Sequence, residues 1–428
     1  MQEVFVLILF KVRNYTSFKE ESILDLRAAP YVQYETHCVK INEKNKLLKT
    51  CAIYGANASG KSNFISAMFF FKQYIFSQFM NNGNVNDSFD NDQMPKTAVN
   101  LEPFLLSNTE NDASEFEIII TKNGSQIQYG FECTTKKVIN EWYYINDEKV
   151  YERKESSLSF GINYKKILNA YKKVPEERLY LSILEYFLSA EQKDIIIGDF
   201  YNFFTKEYIV YFEILIESIV KGVYDEAGFI KKLINDKTLR DKVSHYLHCI
   251  DVGVKKLDVH DEITINKRTG KSRNTKIIRT VHDVYDENGM IIGEKYFDLL
   301  QESSGTLRFL AFIQHVIEML DNGGVFIVDE LSSRLHPKLT KLIVDIFQSD
   351  INKKAQLIFT THDISLLNHE QFRRDEIAFI DKNDRGESKI YALSDLRVRE
   401  DSTFSKDYMQ GKYGAVPMLK YDYLLGGE

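Results

Sequence analysis

The sequence predicts an α/β protein with mixed sheets and an inserted helical stretch, and three observations predict it. Short apolar runs of strand length recur in both halves of the chain. A glycine-rich loop joins one such run to a helix-like run. In the middle of the chain the apolar residues change to three- and four-residue spacing. Strands alternating with helices call for an open sheet whose functional residues gather at the strands' carboxyl ends.

In chain order, Phe5–Val12 reads as the first strand, and Leu48 to Tyr54 as a second, buried one. From Asn63 onward the pattern is helical. Between them, Gly55-Ala56-Asn57-Ala58-Ser59-Gly60-Lys61-Ser62 fits the phosphate-binding pattern G-x-x-x-x-G-K-[ST], with Asn63 beside it. Glycines at 55 and 60 let the backbone approach phosphates, Lys61 can reach the β and γ oxygens, and the Ser62 hydroxyl can hold Mg²⁺. A polar loop (NNGNVNDSFDNDQ) and strands through Phe116–Ile120 and Tyr129–Cys133 complete an N-terminal lobe, 1–155. Residues 156–255 read as a helical insertion, unusually aromatic between Tyr164 and Ile250. Without sustained heptads this is a compact subdomain rather than a coiled coil, with its aromatic stripe in the core. A C-terminal lobe, 256–428, returns to strands.

That lobe carries three further pieces of chemistry. Val325-Phe326-Ile327-Val328 is an apolar strand ending in Asp329 and Glu330. At the ligand-binding edge of a sheet, Asp329 can reach a Mg²⁺ shell and Glu330 a water attacking a γ-phosphate; capping the helix that starts near Pro337 is the plainer role. Gln356 to Thr361 is another apolar strand, and it ends on His362, able to donate a hydrogen bond to a terminal phosphate. Glu302-Ser303-Ser304-Gly305-Thr306 precedes a helix-like run, Leu307 to Leu320. Ser303 or Ser304 is an N-cap there, and small hydroxyl residues at a helix start also form an anion site.

The four pieces in this order resemble the ABC, SMC and RecF class of ATPases. With PFLLSN, SEFEI, YGFE, EWYY, ESSGTLRF, DELSSRLHP, AQLIFTTHD, FRRDEI and KDYMQGKYGAVP, the resemblance narrows to the AAA-type ATPases of bacterial abortive-infection and phage-defence systems, including the RloA and AbiLi group. It implies an ABC/SMC-type P-loop ATPase head that uses ATP and Mg²⁺ and works as a homodimer or higher homo-oligomer. Each nucleotide would be sandwiched between Lys61, Ser62, Asp329, Glu330 and His362 of one copy and Ser303, Ser304 and Gly305 of another. A neighbouring gene would encode the effector, a toxin or nuclease. The chain departs from the pattern at Ser332, where relatives often carry Asp. The glutamine of the lid is open between Gln126 and Gln128.

Composition fits a cytoplasmic ATPase. The 428 residues, 44% of them hydrophobic, can bury a large core or two, and four scattered cysteines suit a reducing compartment. The apolar run before Lys11 and Arg13 is too short for a secretory core or a membrane span of about 20 residues. Two features invite other readings. His245, His248 and Cys249 lack the further ligands of a zinc site. Lys267, Arg268, Lys271, Arg273, Lys276 and Arg279 crowd a hairpin around Thr269-Gly270, where nucleic acid could bind locally although the net charge is −7. That cluster keeps open a RecF/SMC-like DNA-repair ATPase. The stretch after His362 is too short for the appended nuclease domain of an OLD-type enzyme.

Overall fold

The computed structural model describes residues 5–43, 45–80, 100–107, 112–211, 229–250, 253–265, 272–333, 335–399 and 402–417. Its centre is a six-stranded sheet, in spatial order Tyr208–Tyr211, Gly324–Val328, Ala355–Thr360, Thr50–Tyr54, Ile377–Lys382 and Ser388–Ala392. The first five strands pair in parallel and the last is antiparallel. Gly324–Val328, Ala355–Thr360 and Thr50–Tyr54 are buried throughout, as strands covered on both faces must be.

Alternation along these strands divides the interior into two cores. Cys51, Ile53, Ile327, Ile358 and Ile380 face one core, while Ala52, Tyr54, Val328, Phe359 and Phe379 face the other. The first core is shared with the P-loop helix, Lys61–Met80, and a seven-stranded antiparallel sheet built from Phe5–Arg13, Ser22–Asp25 and the five strands between Ser114 and Phe160. The helix is apolar on most of its circumference because it lies between two sheets. Phe71 stacks on Phe131 of the antiparallel sheet at 5.4 Å, and Phe64 meets Phe10 edge-on at 5.8 Å. The second core is closed by the helices Ser304–Asn322 and Pro337–Gln348.

The inserted stretch is mainly helical, with two corrections. Ser157–Phe160 is the last strand of the antiparallel sheet, and Tyr208–Tyr211 pairs in parallel with the acidic strand, Tyr211 opposite Val328. The tetrapeptide YIVY is β-branched and aromatic, and a partner strand outweighs the helical spacing around it. The insertion also splits between the two cores: Tyr180, Phe200, Phe203 and Phe204 join the first, Leu233, Val243 and Leu247 the second. Much of its aromatic stripe is therefore core, although Tyr186 and Phe187 are exposed. A further correction concerns the strand expected from Leu48. It breaks at Lys49, whose buried amine donates to the Ser349 carbonyl at 2.9 Å, and Leu48 belongs instead to a short strand pairing with Cys38–Lys40.

A third, three-stranded sheet consists of Lys256–Ile265, Ser272–Tyr285 and Ile291–Asp298, and Arg273, Lys276 and Arg279 of the basic cluster lie on its middle strand. Lys267, Arg268, Lys271, Thr269 and Gly270 lie outside the described residues, as do the polar loop after the P-loop helix and residues 418–428. Of the cluster's described members, Arg279 is paired with Asp298 at 3.0 Å. In the C-terminal segment, Tyr408 and Tyr413 pack on the second core around Phe379. His245 and Cys249 share one side of the helix Lys237–Cys249, 3.8 Å apart. Among the described residues no three His, Cys, Asp or Glu are grouped to hold a metal. No described helix is long and apolar enough to cross a membrane.

One buried charge ties the insertion to the antiparallel sheet. Glu141 is fully buried and accepts hydrogen bonds from the Tyr129 and Tyr151 hydroxyls and from the backbone N–H groups of Tyr180 and Leu181, at the start of the helix Tyr180–Phe187. Removing it strands four donors. Glu141→Ala is expected to lower stability to urea by about 3 kcal/mol, with Glu141→Gln costing less.

Candidate nucleotide site

The parallel pairing places the carboxyl ends of three strands side by side. Ile53, at the end of the P-loop strand, is opposite Thr360 of the histidine strand, and Val328 of the acidic strand is opposite Phe359. The loop that leaves Tyr54 is wound by positive φ at Ala58 (61°) and Gly60 (115°) and runs into the helix at Lys61. Only Gly60 escapes strain in such a conformation, and it has a second reason to be glycine. A Cβ there would lie 2.5 Å from Ser388 Oγ and 2.8 Å from Ser17 Oγ.

Those two serines form a floor under the loop. Ser388 Oγ donates to the Ser59 carbonyl at 2.6 Å and lies 2.9 Å from Ser17 Oγ, which accepts from Asn63 Nδ2 at 2.8 Å. Sequence reasoning missed both, and only Ser17, in a polar turn after the first strand, left any trace. Lys61 is 5% exposed, and its ammonium donates to the Gly55 and Ala56 carbonyls at 3.1 Å each. Burial pushes its pKa down, while the charges of Glu330 and Asp329 act in the opposite direction. Ser62 is exposed in the first turn of the helix.

The two acids leave their strand through a tightly specified turn. Thr360 Oγ1 donates to Asp329 Oδ1 at 2.7 Å and accepts from the Glu330 N–H at 2.7 Å. Glu330 has φ 53°, a left-handed conformation unusual for a non-glycine residue. Its carbonyl accepts from Arg308 Nη2 at 2.5 Å and from the Ser333 N–H at 3.0 Å, and the next N–H, of Leu331, donates to the Thr360 carbonyl at 3.0 Å. The surrounding bonds thus hold a backbone state that costs of order 1 kcal/mol. Arg308 and Thr360 were not singled out from sequence, although each lies within a motif that was. His362 Nε2 is 3.3 Å from Glu330 Oε1. The histidine's hydrogen bond, followed by the charges of His362, Lys61 and Arg308, outweighs desolvation and holds the Glu330 carboxyl below its usual range. Ser332 Oγ bonds to Thr361 Oγ1 at 2.8 Å, so it closes the turn onto the histidine strand.

Lys61, Asp329, Glu330 and His362 are therefore brought together within one chain. Ser303–Gly305 are not: among the described residues no hydrogen bond joins them to the P-loop. The start of their helix is exposed, with Ser303 as the N-cap, accepting from the Thr306 N–H at 3.1 Å. Neither candidate lid glutamine faces the P-loop helix. Along the strand Ser125–Cys133, Ile127, Tyr129 and Phe131 point into the core, which turns Gln126 and Gln128 to the opposite face, where Gln128 donates to Glu117 at 2.9 Å.

The groups present suit a magnesium-bound triphosphate. Ser62 and Asp329 offer the hard oxygen ligands that Mg²⁺ shares with phosphate and water, and the loop offers backbone N–H groups and an ammonium to the anion. The family model described as "AAA domain, putative AbiEii toxin, Type IV TA system" matches residues 51–170 and 230–368, more than half of the chain. The chain belongs to this AAA domain family. Over 93 residues it is 29% identical to the uncharacterized protein MJECL43 of Methanocaldococcus jannaschii, a match covering 20% of this chain and 24% of that protein. It is also similar to the SMC head domain from Thermotoga maritima, at 15% identity and TM-score 0.41, covering 92% of this chain and 99% of that one. An SMC head bound to the C-winged helix domain of ScpA gives 14% identity and TM-score 0.41, covering 90% and 97%. The P-loop, the acidic strand and the histidine strand all lie within the matched segments of this family.

The pairing of Glu330 with His362 has a sign that can be measured. A carboxyl held below its ordinary value of 4.5 contributes stability above that pH and loses it as pH falls through the folded value. The stability advantage of the parent over His362→Ala is expected to be present above about pH 4.5 and to shrink as the pH falls below it, read by chemical denaturation across that range.

Proposed function

We propose that this protein binds and hydrolyses ATP as part of an anti-phage abortive-infection system, acting as a nucleotide-dependent homo-oligomer that controls a partner effector. The observation that carries the reading is the convergence of Lys61, Asp329, Glu330 and His362 at adjoining strand ends. In this reading the N-terminal lobe, 1–155, contributes the P-loop and the C-terminal lobe, 256–428, contributes the acids and the histidine, with 156–255 inserted between them. The protein works in the cytoplasm, and the family's AbiEii toxin description supports the defence setting and an effector.

Each residue's part follows from its surroundings. The loop from Gly55 to Ser62, with Asn63 braced on Ser17, encloses the phosphates, and Lys61 exchanges its two carbonyl partners for phosphate oxygens. Ser62 and Asp329 hold Mg²⁺, with Asp329 aimed by Thr360. Bound Mg²⁺ supplies charge neutralisation of the phosphate oxygens. Glu330 remains a carboxylate because His362 and Lys61 favour that form, so it can accept a proton from an attacking water. Its left-handed backbone, pinned by Arg308 and Thr360, sets the direction of that carboxylate. Ser303, Ser304 and Gly305 of a second copy complete the site, since hydroxyl groups and a helix start neutralise γ-phosphate charge only when they close over it. Closure of the pair and occupancy by ATP are then one event, which an effector can sense.

Two substitutions separate binding from turnover. Lys61→Ala is expected to abolish binding of a fluorescent ATP analogue. Glu330→Gln should retain binding, hydrolyse at least about a hundredfold more slowly and elute as a dimer with ATP in size-exclusion chromatography. Parent-like turnover by Glu330→Gln would remove the assigned base. Capture of a neighbouring gene's product without DNA affinity supports the defence role. Salt-dependent DNA binding that is lost when the 267–279 cluster is neutralised would replace it with nucleotide-gated DNA repair.

A further inference from the structure

Glu302 immediately precedes the serines of the helix start, yet it touches neither the P-loop nor the paired acids. Its side chain is 8% exposed, and its carboxylate accepts a hydrogen bond from the Thr280 hydroxyl, with His282 Nε2 at 2.7 Å from the same oxygen, Oε1. Thr280 and His282 are two residues apart on Ser272–Tyr285, the middle strand of the three-stranded sheet, and so share one face. The same strand takes a second hold just upstream. Arg279 pairs with Asp298 at 3.0 Å, and the Asp298 N–H donates to Gln301 Oε1 at 2.8 Å. The approach to the helix, from Asp298 to Glu302, is thereby fixed to the sheet at both ends.

This brace leaves the serines little freedom. Ser303 is committed as the N-cap, its hydroxyl also bonded to Thr306 Oγ1 at 2.8 Å, and Ser304 is exposed in the first turn. A shift of Glu302 would re-aim Ser304 and the first N–H groups of the helix without disturbing the P-loop of the same chain. Burying a carboxylate is a costly way to anchor a turn that apolar packing could also anchor, so the directional hold on the loop is what distinguishes it.

We propose that Glu302 is a positioning residue for the nucleotide site of the opposite copy: through Thr280 and His282 it sets the aim of Ser303–Gly305 at the partner's triphosphate. The inference rests on the two-copy site proposed above. It makes the three-stranded sheet part of the closing machinery, and it places the effect of a Glu302 change in trans.

Mixing experiments test it. Glu302→Ala should bind a fluorescent ATP analogue within about twofold of the parent, because its own P-loop is untouched, but hydrolyse ATP at least about tenfold more slowly. Glu302→Gln, which keeps an acceptor oxygen for both partners, should stay within about threefold of the parent. Equimolar Glu302→Ala, impaired alone, and Lys61→Ala, inactive alone, should reach up to about a quarter of the parental rate, since half of randomly formed pairs contain one intact composite site. Ser304→Arg mixed with Lys61→Ala is the control for the two-copy reading. Recovery in the control but not with Glu302→Ala overturns the role of Glu302. Failure of the control overturns the two-copy reading and this inference with it. If Glu302→Ala does not fold, Thr280→Val combined with His282→Leu removes the donors from the sheet side and must complement Lys61→Ala in the same way. Its failure beside a working control also overturns the proposal.

Discussion

The hydroxyl of Thr360 sits at the seam on which the site depends. It donates to Asp329 and accepts from the Glu330 backbone, so one side chain fixes both acids of the neighbouring strand relative to its own. This is possible only because the two strands run parallel and in a register that brings their carboxyl ends level. The P-loop strand joins on the other side of the same strand, with the Thr361 N–H donating to the Ile53 carbonyl at 3.1 Å. Sequence positions hundreds of residues apart thus become neighbours through ladder geometry, and the left-handed turn at Glu330 is held by partners from two further elements. Such a turn is stable only where its surroundings over-determine it.

How much of this was legible in the amino acids depended on whether a residue's role is local. The P-loop, the acidic strand, the histidine strand and the helix start each carry their chemistry within a few consecutive positions, and each formed the predicted element. The roles of Ser17, Ser388, Arg308 and Thr360 exist only after folding, because each serves a segment distant in the chain. Only Ser17 lies in a turn; Arg308 is inside a helix and Thr360 and Ser388 are on strands, and a polar residue at such a position does not itself show which distant segment it serves. The edge strand Tyr208–Tyr211 was hidden for a different reason. Four residues are too few to establish a period, and the flanking sequence is helical.

The insertion also shows why spacing alone misstates an architecture. Helical periodicity identified its helices but not their allegiance. Glu141 and the aromatic residues from Tyr180 to Tyr208 bind its first part to the antiparallel sheet, whereas Leu233, Val243 and Leu247 of its second part join the opposite core. The stretch therefore contributes to the packing of both cores.

The P-loop helix lies between two sheets, and on the side of the antiparallel sheet its aromatic rings interlock with those of the strands, among them Phe64 and Phe71 with Phe10 and Phe131. Close-packed rings do not slide past one another by small increments. Because Lys61 opens that helix, the phosphate-binding loop and the antiparallel sheet are joined through one close-packed aromatic seam.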